Sequence, residues 1–334
     1  IDELYKQTGK VEFNHRLACS SAAGGLKMVA VGLVPDLTSE AANRAALSAG
    51  AKVMKVYSYE LSSSETQQIS DLAPDIILLT GGTDGGNKNT ILHNAHVISK
   101  IDGDFAVVIA GNKSASEHAA VILEKNSKTV RICENVMPEY HVLNVEPARE
   151  AIRAIFLERI IRAKGLTKVE SLIEGILMPT PSAVMSAAHL LATGCEDQKG
   201  LGDLMVIDVG GATTDVHSVA EGYPTQSNVI MKGLPEPFVK RTVEGDLGVR
   251  YSAAALLEKV GLEDMQKKTQ LNKDSIQKFV FTLTQKPEIL PQEDGDIRSL
   301  DNALASMAVR LAVERHAGKI ETIYTPLGVS CIQS

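Results

Sequence analysis

The sequence predicts an α/β protein of two lobes, the first built on a mostly parallel sheet. Three observations carry that expectation. The chain has 334 residues, about twice the ~150 residues of a typical domain. Through the first 145 residues, apolar runs of 5 to 8 residues alternate with longer stretches of helical periodicity. Ile76–Leu79 is a run of four branched apolar residues without a polar face, which suits a strand covered on both sides. Strand and helix taking turns in this way is the pattern of parallel strands joined by crossover helices.

The elements follow in order. Residues 16–20 and 27–33 read as two strands around Ser21-Ala22-Ala23-Gly24-Gly25, whose small residues suit a tight reversal. Thr38 is expected to cap a helix carrying Ala41, Ala42, Ala45 and Leu47, with Gly50 as its stop. A strand at 53–57, a helix at 64–72 and the strand Ile76–Leu79 come next, then a helix at 89–100 and a strand at 105–110. Ser114 and Glu117 have the spacing of a capping box opening a helix at 114–125, before a strand at 129–133. A long amphipathic helix at 146–164 stops at Gly165, and the lobe boundary is placed at its start: 1–145 form the N-terminal α/β lobe, 146–334 the second. A helix at 183–192 and a polar linker at 194–202 lead to the richest stretch of the chain.

Residues 204–219 read LMVIDVGGATTDVHSV, two apolar strands meeting at a glycine pair with an acid on each shoulder. Gly210 and Gly211 lack Cβ atoms, so several backbone N–H groups can converge on an anion. Thr213 and Thr214 add hydroxyl donors, and Asp208 and Asp215 can hold water on Mg²⁺. That combination fits a phosphate tail. A bare DxGG is more often an ordinary hairpin whose side chains satisfy the turn, and the full eight-residue string shifts that balance. A second candidate is Thr80-Gly-Gly-Thr-Asp-Gly-Gly-Asn87, where Gly81 and Gly82 precede a helix and could bind phosphate or an acidic side chain. It also reads as a connection needing positive φ, and it lacks the GxGxxG spacing of a dinucleotide site. The loop at 109–113 should share its sheet edge.

Composition excludes several classes. With 34 basic and 41 acidic residues the net charge is −7, which argues against a general nucleic-acid or anionic-membrane binder. Seven Tyr, six Phe and no Trp make no stacking platform for single strands. Cys19, Cys133, Cys195 and Cys331 form no metal-ligand spacing and fit a reduced, cytoplasmic compartment. No apolar run approaches the ~20 residues of a membrane span, and the first residues lack a signal-peptide core. His93 and His96, three apart on a helix, read as a solvated face, and His217 as a satisfied, partly buried histidine on the strand face of Asp215.

The string Asp208-Val-Gly-Gly-Ala-Thr-Thr-Asp215 resembles the second phosphate motif of the actin, sugar kinase and heat-shock chaperone ATPase superfamily. The resemblance implies a two-lobed actin-like ATPase fold with ATP and Mg²⁺ as cofactors. In that pattern Asp208 helps hold the Mg²⁺ shell and the attacking water, and Gly210, Gly211 and Ala212 cradle phosphate oxygens through their N–H groups. Thr213 stands near the γ-phosphate and Asp215 supports the metal's water network. Ala212 replaces a third glycine found in many members. Glu244-Gly-Asp-Leu-Gly-Val-Arg250 resembles the segment that borders the nucleoside, which makes Glu244 and Arg250 candidates. No DxGS or DxGT motif precedes Leu17 and no glycine pair follows Gly211, so the expected fold is incomplete at both ends.

A narrower resemblance runs along most of the chain: LACSSAAGGLKMVAVGLVP from Leu17, DIILLTGGTDGGN from Asp75, NVMPE from Asn135 and KGLPEPFVKRTVEGDLG from Lys232. Together these resemble the MutL-type accessory proteins of adenosylcobalamin-dependent glutamate mutase. What this implies is an ATP-dependent reactivating chaperone that exchanges damaged cobalamin on the mutase, with mutase subunits as partners. A small-molecule kinase of the same superfamily and a nucleotide-independent mutase-binding module are the alternatives.

Overall fold

The computed structural model describes residues 6–7, 9, 18–20, 26–163, 176–224, 229–231, 234–291, 295–325 and 328–333. Contacts divide the chain into two units, Ile1–Ala183 and Val184–Ser334. In the first, β1 (Ala18–Ser20) is followed by β2 (Lys27–Gly32), α1 (Glu40–Ser48), β3 (Lys52–Ser58), α2 (Ser63–Leu72) and β4 (Ile76–Leu79). Then come α3 (Asn89–Ser99), β5 (Ala106–Ile109), α4 (Lys113–Glu124), β6 (Thr129–Ile132), α5 (Glu146–Ala163) and β7 (Ile176–Pro179). Five of the strands make one sheet in the order β3-β2-β4-β5-β6, every neighbouring pair parallel. The expected parallel α/β unit is therefore present.

Both faces of that sheet are covered, which is why β4 and β5 are buried at every position. Val29, Val31, Ile77, Leu79, Val107 and Ile109 share one core with Ile69 of α2, Ile91 and Ile98 of α3, and Leu123 of α4. On α1, Ala41, Ala42, Ala45 and Ala46 are fully buried, and this small-residue face packs on β2, β3 and β4. Because α5 packs on α1 and β5, it belongs with this unit. The division at 183/184 thus lies beyond the lobe boundary expected at 145/146 by α5 and β7.

Several local expectations are corrected. β1 pairs in parallel with β7, not with β2, and the reversal expected at 21–25 lies outside the described residues. Thr38 does not cap α1. It sits in a π-helical turn, Pro35–Ser39, and its hydroxyl accepts the N–H groups of Leu33 and Val34 at 2.7 and 2.9 Å, closing the exit from β2. α4 is capped by Asn112, whose side chain accepts the Ser114 N–H, so Ser114 lies inside the helix and its box with Glu117 does not form. A capping box does open α2, between Ser62 and Glu65.

The second unit begins with α6 (Thr180–Thr193), which straddles the division, and a short hairpin, β8 (Gly194–Cys195) and β9 (Gln198–Lys199), where a linker was expected. β10 (Leu204–Val209), β11 (Thr214–Val219) and β13 (Val239–Glu244) form an antiparallel sheet in that order. β12 (Val229–Met231), β14 (Ile320–Thr325) and β15 (Gly328–Gln333) form a mixed sheet in the order β12-β15-β14, with β12 parallel and β14 antiparallel to β15. α7 (Ala253–Val260), α8 (Leu262–Thr269), α9 (Lys273–Gln285) and α10 (Asp296–Ala317) complete the unit. Ile207, Val209 and Val216 from one face of the β10-β11-β13 sheet join Leu256, Met265, Ile276, Leu300 and Leu304 in one helical core. At the end of α10 the buried His316 meets the hydroxyls of Ser218 and Thr242 at 2.7 and 2.8 Å, one at each ring nitrogen, and so ties the helix to the sheet.

Candidate functional site

The hairpin expected at 204–219 is formed. Gly210 N–H donates to the Thr213 carbonyl at 2.8 Å, leaving Gly211 and Ala212 as the turn residues. Three carbonyls of the tip are taken by the segment after β13. Val249 N–H reaches Gly210 O at 3.1 Å, Arg250 N–H reaches Gly211 O at 2.8 Å, and the Ser252 hydroxyl reaches Ala212 O at 2.6 Å. The N–H groups of Gly211, Ala212 and Thr213 have no acceptor among the described residues. With the carbonyls turned inward and the amides left over, the tip presents donors. Gly248 permits this closeness, since a Cβ there would stand 2.3 Å from the Ala212 carbonyl carbon and 2.5 Å from Gly211 O.

Asp208 and Asp215 are direct cross-strand partners, so their side chains leave the sheet on the same face, with Val206, His217 and Arg241. Their surroundings differ. Asp208 is exposed and makes no hydrogen bond or ion pair among the described residues. Asp215 is held by the buried guanidinium of Arg241, whose Nε and Nη2 both donate to Oδ1 at 2.9 and 2.5 Å, while the Thr213 hydroxyl donates to Oδ2 at 3.3 Å. Burial draws the Arg241 pKa down from its ordinary value, opposed by Asp215 and, more weakly, by Asp208. His217 stands beside Arg241 in the register, buried, with no hydrogen-bond partner for Nδ1 among the described residues. It is not the satisfied, partly buried histidine the sequence suggests. Burial, reinforced by Arg241, pushes its pKa down to about 4.

The other candidates around the hairpin are engaged with the protein. Thr214 is buried and its hydroxyl donates to Leu247 O at 2.7 Å. Glu244, the register partner of Thr214, pairs with Arg315 of α10 at 2.5 Å, and Asp246 pairs with the same guanidinium, which holds the Asp246 carboxyl below its usual range. Arg250 pairs with Asp301 of α10. These pairs fasten 244–252 to α10 and so fix the bracket over the hairpin tip.

Gly81 and Gly82 belong to the other unit, after β4. Both are buried with positive φ, 138° and 72°, and a Cβ on Gly82 would stand 2.3 Å from Asn87 O. The loop is stitched internally. Asn112, fully buried, donates to Gly86 O and Asn87 O at 3.0 and 3.1 Å and accepts the Gly85 N–H at 3.2 Å. Asn135 donates to Gly82 O and to Asp84 Oδ1, both at 3.0 Å. The loops after β4, β5 and β6 therefore do meet at one sheet edge. Asp84 lies below its usual pKa: burial raises it, but the N–H of Lys113 and the Asn135 amide outweigh burial.

Sequence reasoning missed Arg241, Ser252, Asn112 and Asn135. Asn112, Asn135 and Arg241 lie in stretches the sequence singles out, but no local pattern assigns them a role, and Arg241 reaches Asp215 only through the register of β11 and β13. Among the described residues no three His, Cys, Asp or Glu groups could hold a metal together, and no helix is long and apolar enough to cross a membrane. Towards the end of α5, Glu158 pairs with Arg131 of β6.

Comparison with known proteins returns one family. A family model described as "MutL protein" matches residues 1–334. A curated relative, "Protein MutL" of Clostridium tetanomorphum, is 51% identical over 320 residues, covering 96% of this chain and 69% of that protein.

Proposed function

The chain belongs to the MutL family, and from that premise we propose that it is the ATP-dependent reactivating accessory protein of an adenosylcobalamin-dependent glutamate mutase. In this reading it exchanges damaged cobalamin on the mutase for intact cofactor, within an actin-like ATPase arrangement. The observation that carries the reading is the polarity of the hairpin tip. Three carbonyls are bonded to the protein, three successive N–H groups have no acceptor among the described residues, and an exposed carboxylate, Asp208, stands on the shoulder.

Such a tip fits a polyphosphate. The N–H groups of Gly211, Ala212 and Thr213 would take phosphate oxygens, and Asp208 would take water bound to Mg²⁺, which keeps several waters and accepts few protein carboxylates. When bound, Mg²⁺ neutralises phosphate charge and favours attack by water. The chain's own part is to hold the tip rigid through 247–252 and to keep the Thr213 hydroxyl beside it.

The test is restoration of activity to cobalamin-inactivated mutase by the full-length protein with ATP and fresh adenosylcobalamin. Wild type should reactivate the mutase only with ATP. Asp208→Ala should lose that activity because the Mg²⁺ water shell loses its carboxylate, and its melting curve should match wild type because Asp208 is exposed and outside the core. Full reactivation by Asp208→Ala would overturn the role of the hairpin. Reactivation that proceeds equally without ATP would favour a nucleotide-independent mutase-binding module instead.

A further inference from the structure

We infer that the two acids of the hairpin have different duties: Asp208 alone faces the metal, while Asp215 is a positioning residue for Thr213, committed to that task by the buried Arg241. The inference rests on the reading of the hairpin as a Mg²⁺–ATP site and departs from the sequence expectation that both acids serve the metal.

The argument begins with register. Asp208 and Asp215 are opposed across β10 and β11, and two carboxylates on one face at that spacing repel unless a cation lies near one of them. β13 supplies the cation. Arg241 is the partner of His217, two residues along β11 from Asp215, and its fork reaches diagonally to Asp215. The two donors it aims at Asp215, Nε and Nη2, both fall on Oδ1, which leaves Oδ2 to accept the Thr213 hydroxyl at 3.3 Å. Neither oxygen of Asp215 is left without a partner.

Arg241 cannot easily turn away. Its side chain is 4% exposed, and a buried guanidinium without its carboxylate would be an uncompensated charge. A metal ligand at Asp215 would have to displace that bond. Asp208 has no such commitment and is exposed at the edge strand of its sheet. Thr213, at the base of the turn, is where the two duties meet: its N–H belongs to the donor tip and its hydroxyl to the Asp215–Arg241 pair. Lysine at position 241 would keep the charge but lose the fork that selects Oδ1.

The experiment uses the full-length protein and two readouts, calorimetric ATP binding across a Mg²⁺ titration and ATP turnover at saturating Mg²⁺. Asp208→Asn should raise the Mg²⁺ concentration at half-maximal ATP binding by about tenfold or more. Asp215→Asn and Arg241→Lys should leave that midpoint within about twofold and lower turnover by about tenfold. Thr213→Ala combined with Arg241→Lys should lose no more turnover than Thr213→Ala alone, because Arg241 acts through Asp215 on that hydroxyl. A merely structural arginine would give additive losses. If Asp215→Asn shifts the Mg²⁺ midpoint as far as Asp208→Asn does, Asp215 is a metal ligand and the inference is wrong. If wild type binds no ATP at any Mg²⁺ concentration, the nucleotide reading itself falls and takes this inference with it. Arg241→Lys and Asp215→Asn are compared only after near-UV circular dichroism matches wild type.

Discussion

Two glycine-rich turns stand in contrast, the loop after β4 and the tip between β10 and β11. In the first, the amides at 84, 85 and 86 have acceptors, Pro138 O, Asn112 Oδ1 and Thr83 O, the Gly82, Gly86 and Asn87 carbonyls are taken by two asparagines, and the amides without an acceptor among the described residues, at 81–83, belong to two buried glycines and the half-buried Thr83. In the second, the carbonyls are satisfied and the amides are not. Glycine content alone does not make an anion cradle. What decides it is which side of each peptide the surrounding protein uses up.

Acid should separate the two units most widely. His217 and His316 are buried and have pKa values near 4, pushed down by burial and, secondarily, by Arg241 and Lys240 respectively. Their folded pKa values lie below the ordinary 6.5, so the unfolded state binds more protons between the two. Stability is therefore full above about pH 6.5 and falls as pH drops towards 4, by on the order of 3 kcal/mol per histidine. Denaturant titrations at pH 7.5 and 4.5 should show the hairpin unit losing stability first. His316→Gln should flatten that pH dependence, and an unchanged profile would show that the helix tie does not govern it.

A smaller effect is expected from added methyl groups at the two turns. Gly248→Ala places its methyl 2.3 Å from the Ala212 carbonyl carbon and should cost about 2–4 kcal/mol while abolishing ATP binding by the full-length protein. Gly82→Ala suffers both a close Asn87 carbonyl and a positive φ. It should cost a similar amount, read by chemical denaturation, yet leave ATP binding by the folded fraction unchanged. Equal loss of nucleotide from both variants would erase the contrast drawn above.

The smallest effect concerns one side chain. Asn112→Ala removes four hydrogen bonds from a fully buried position, counting Gly86 O, Asn87 O, Gly85 N–H and Ser114 N–H. A loss of about 2–3 kcal/mol is expected, with faster amide hydrogen exchange at 83–87 and none at the hairpin tip. Exchange that stays slow in the loop would show that Asn135 and the glycine geometry suffice to hold it.

Much of this was legible in the chain. Four branched apolar residues at Ile76–Leu79 announce a strand buried on both faces, and apolar runs meeting at Gly210-Gly211 announce the hairpin, because side-chain periodicity is a local property of sequence. Caps were less legible. Thr38 and Ser114 have the residue types of helix caps, but the hydroxyl of Thr38 found nearer amides at 33 and 34, and Asn112 reached the end of α4 first. A cap is a competition among nearby hydrogen-bonding groups, and a residue type names only the competitors.

The sequence by itself determined the alternating strands and helices of the first sheet, the parallel character of that sheet and the place of the hairpin, since each follows from the spacing of apolar residues and glycines along a few turns of chain. Only the tertiary structure decided that β1 pairs with β7, that α5 belongs to the first unit, and that Asp215 is bound to Arg241 while Asp208 is not. The physical reason lies in strand register: a shift of one residue between β11 and β13 would turn Arg241 to the opposite face of the sheet, and no local pattern in either strand sets that alignment.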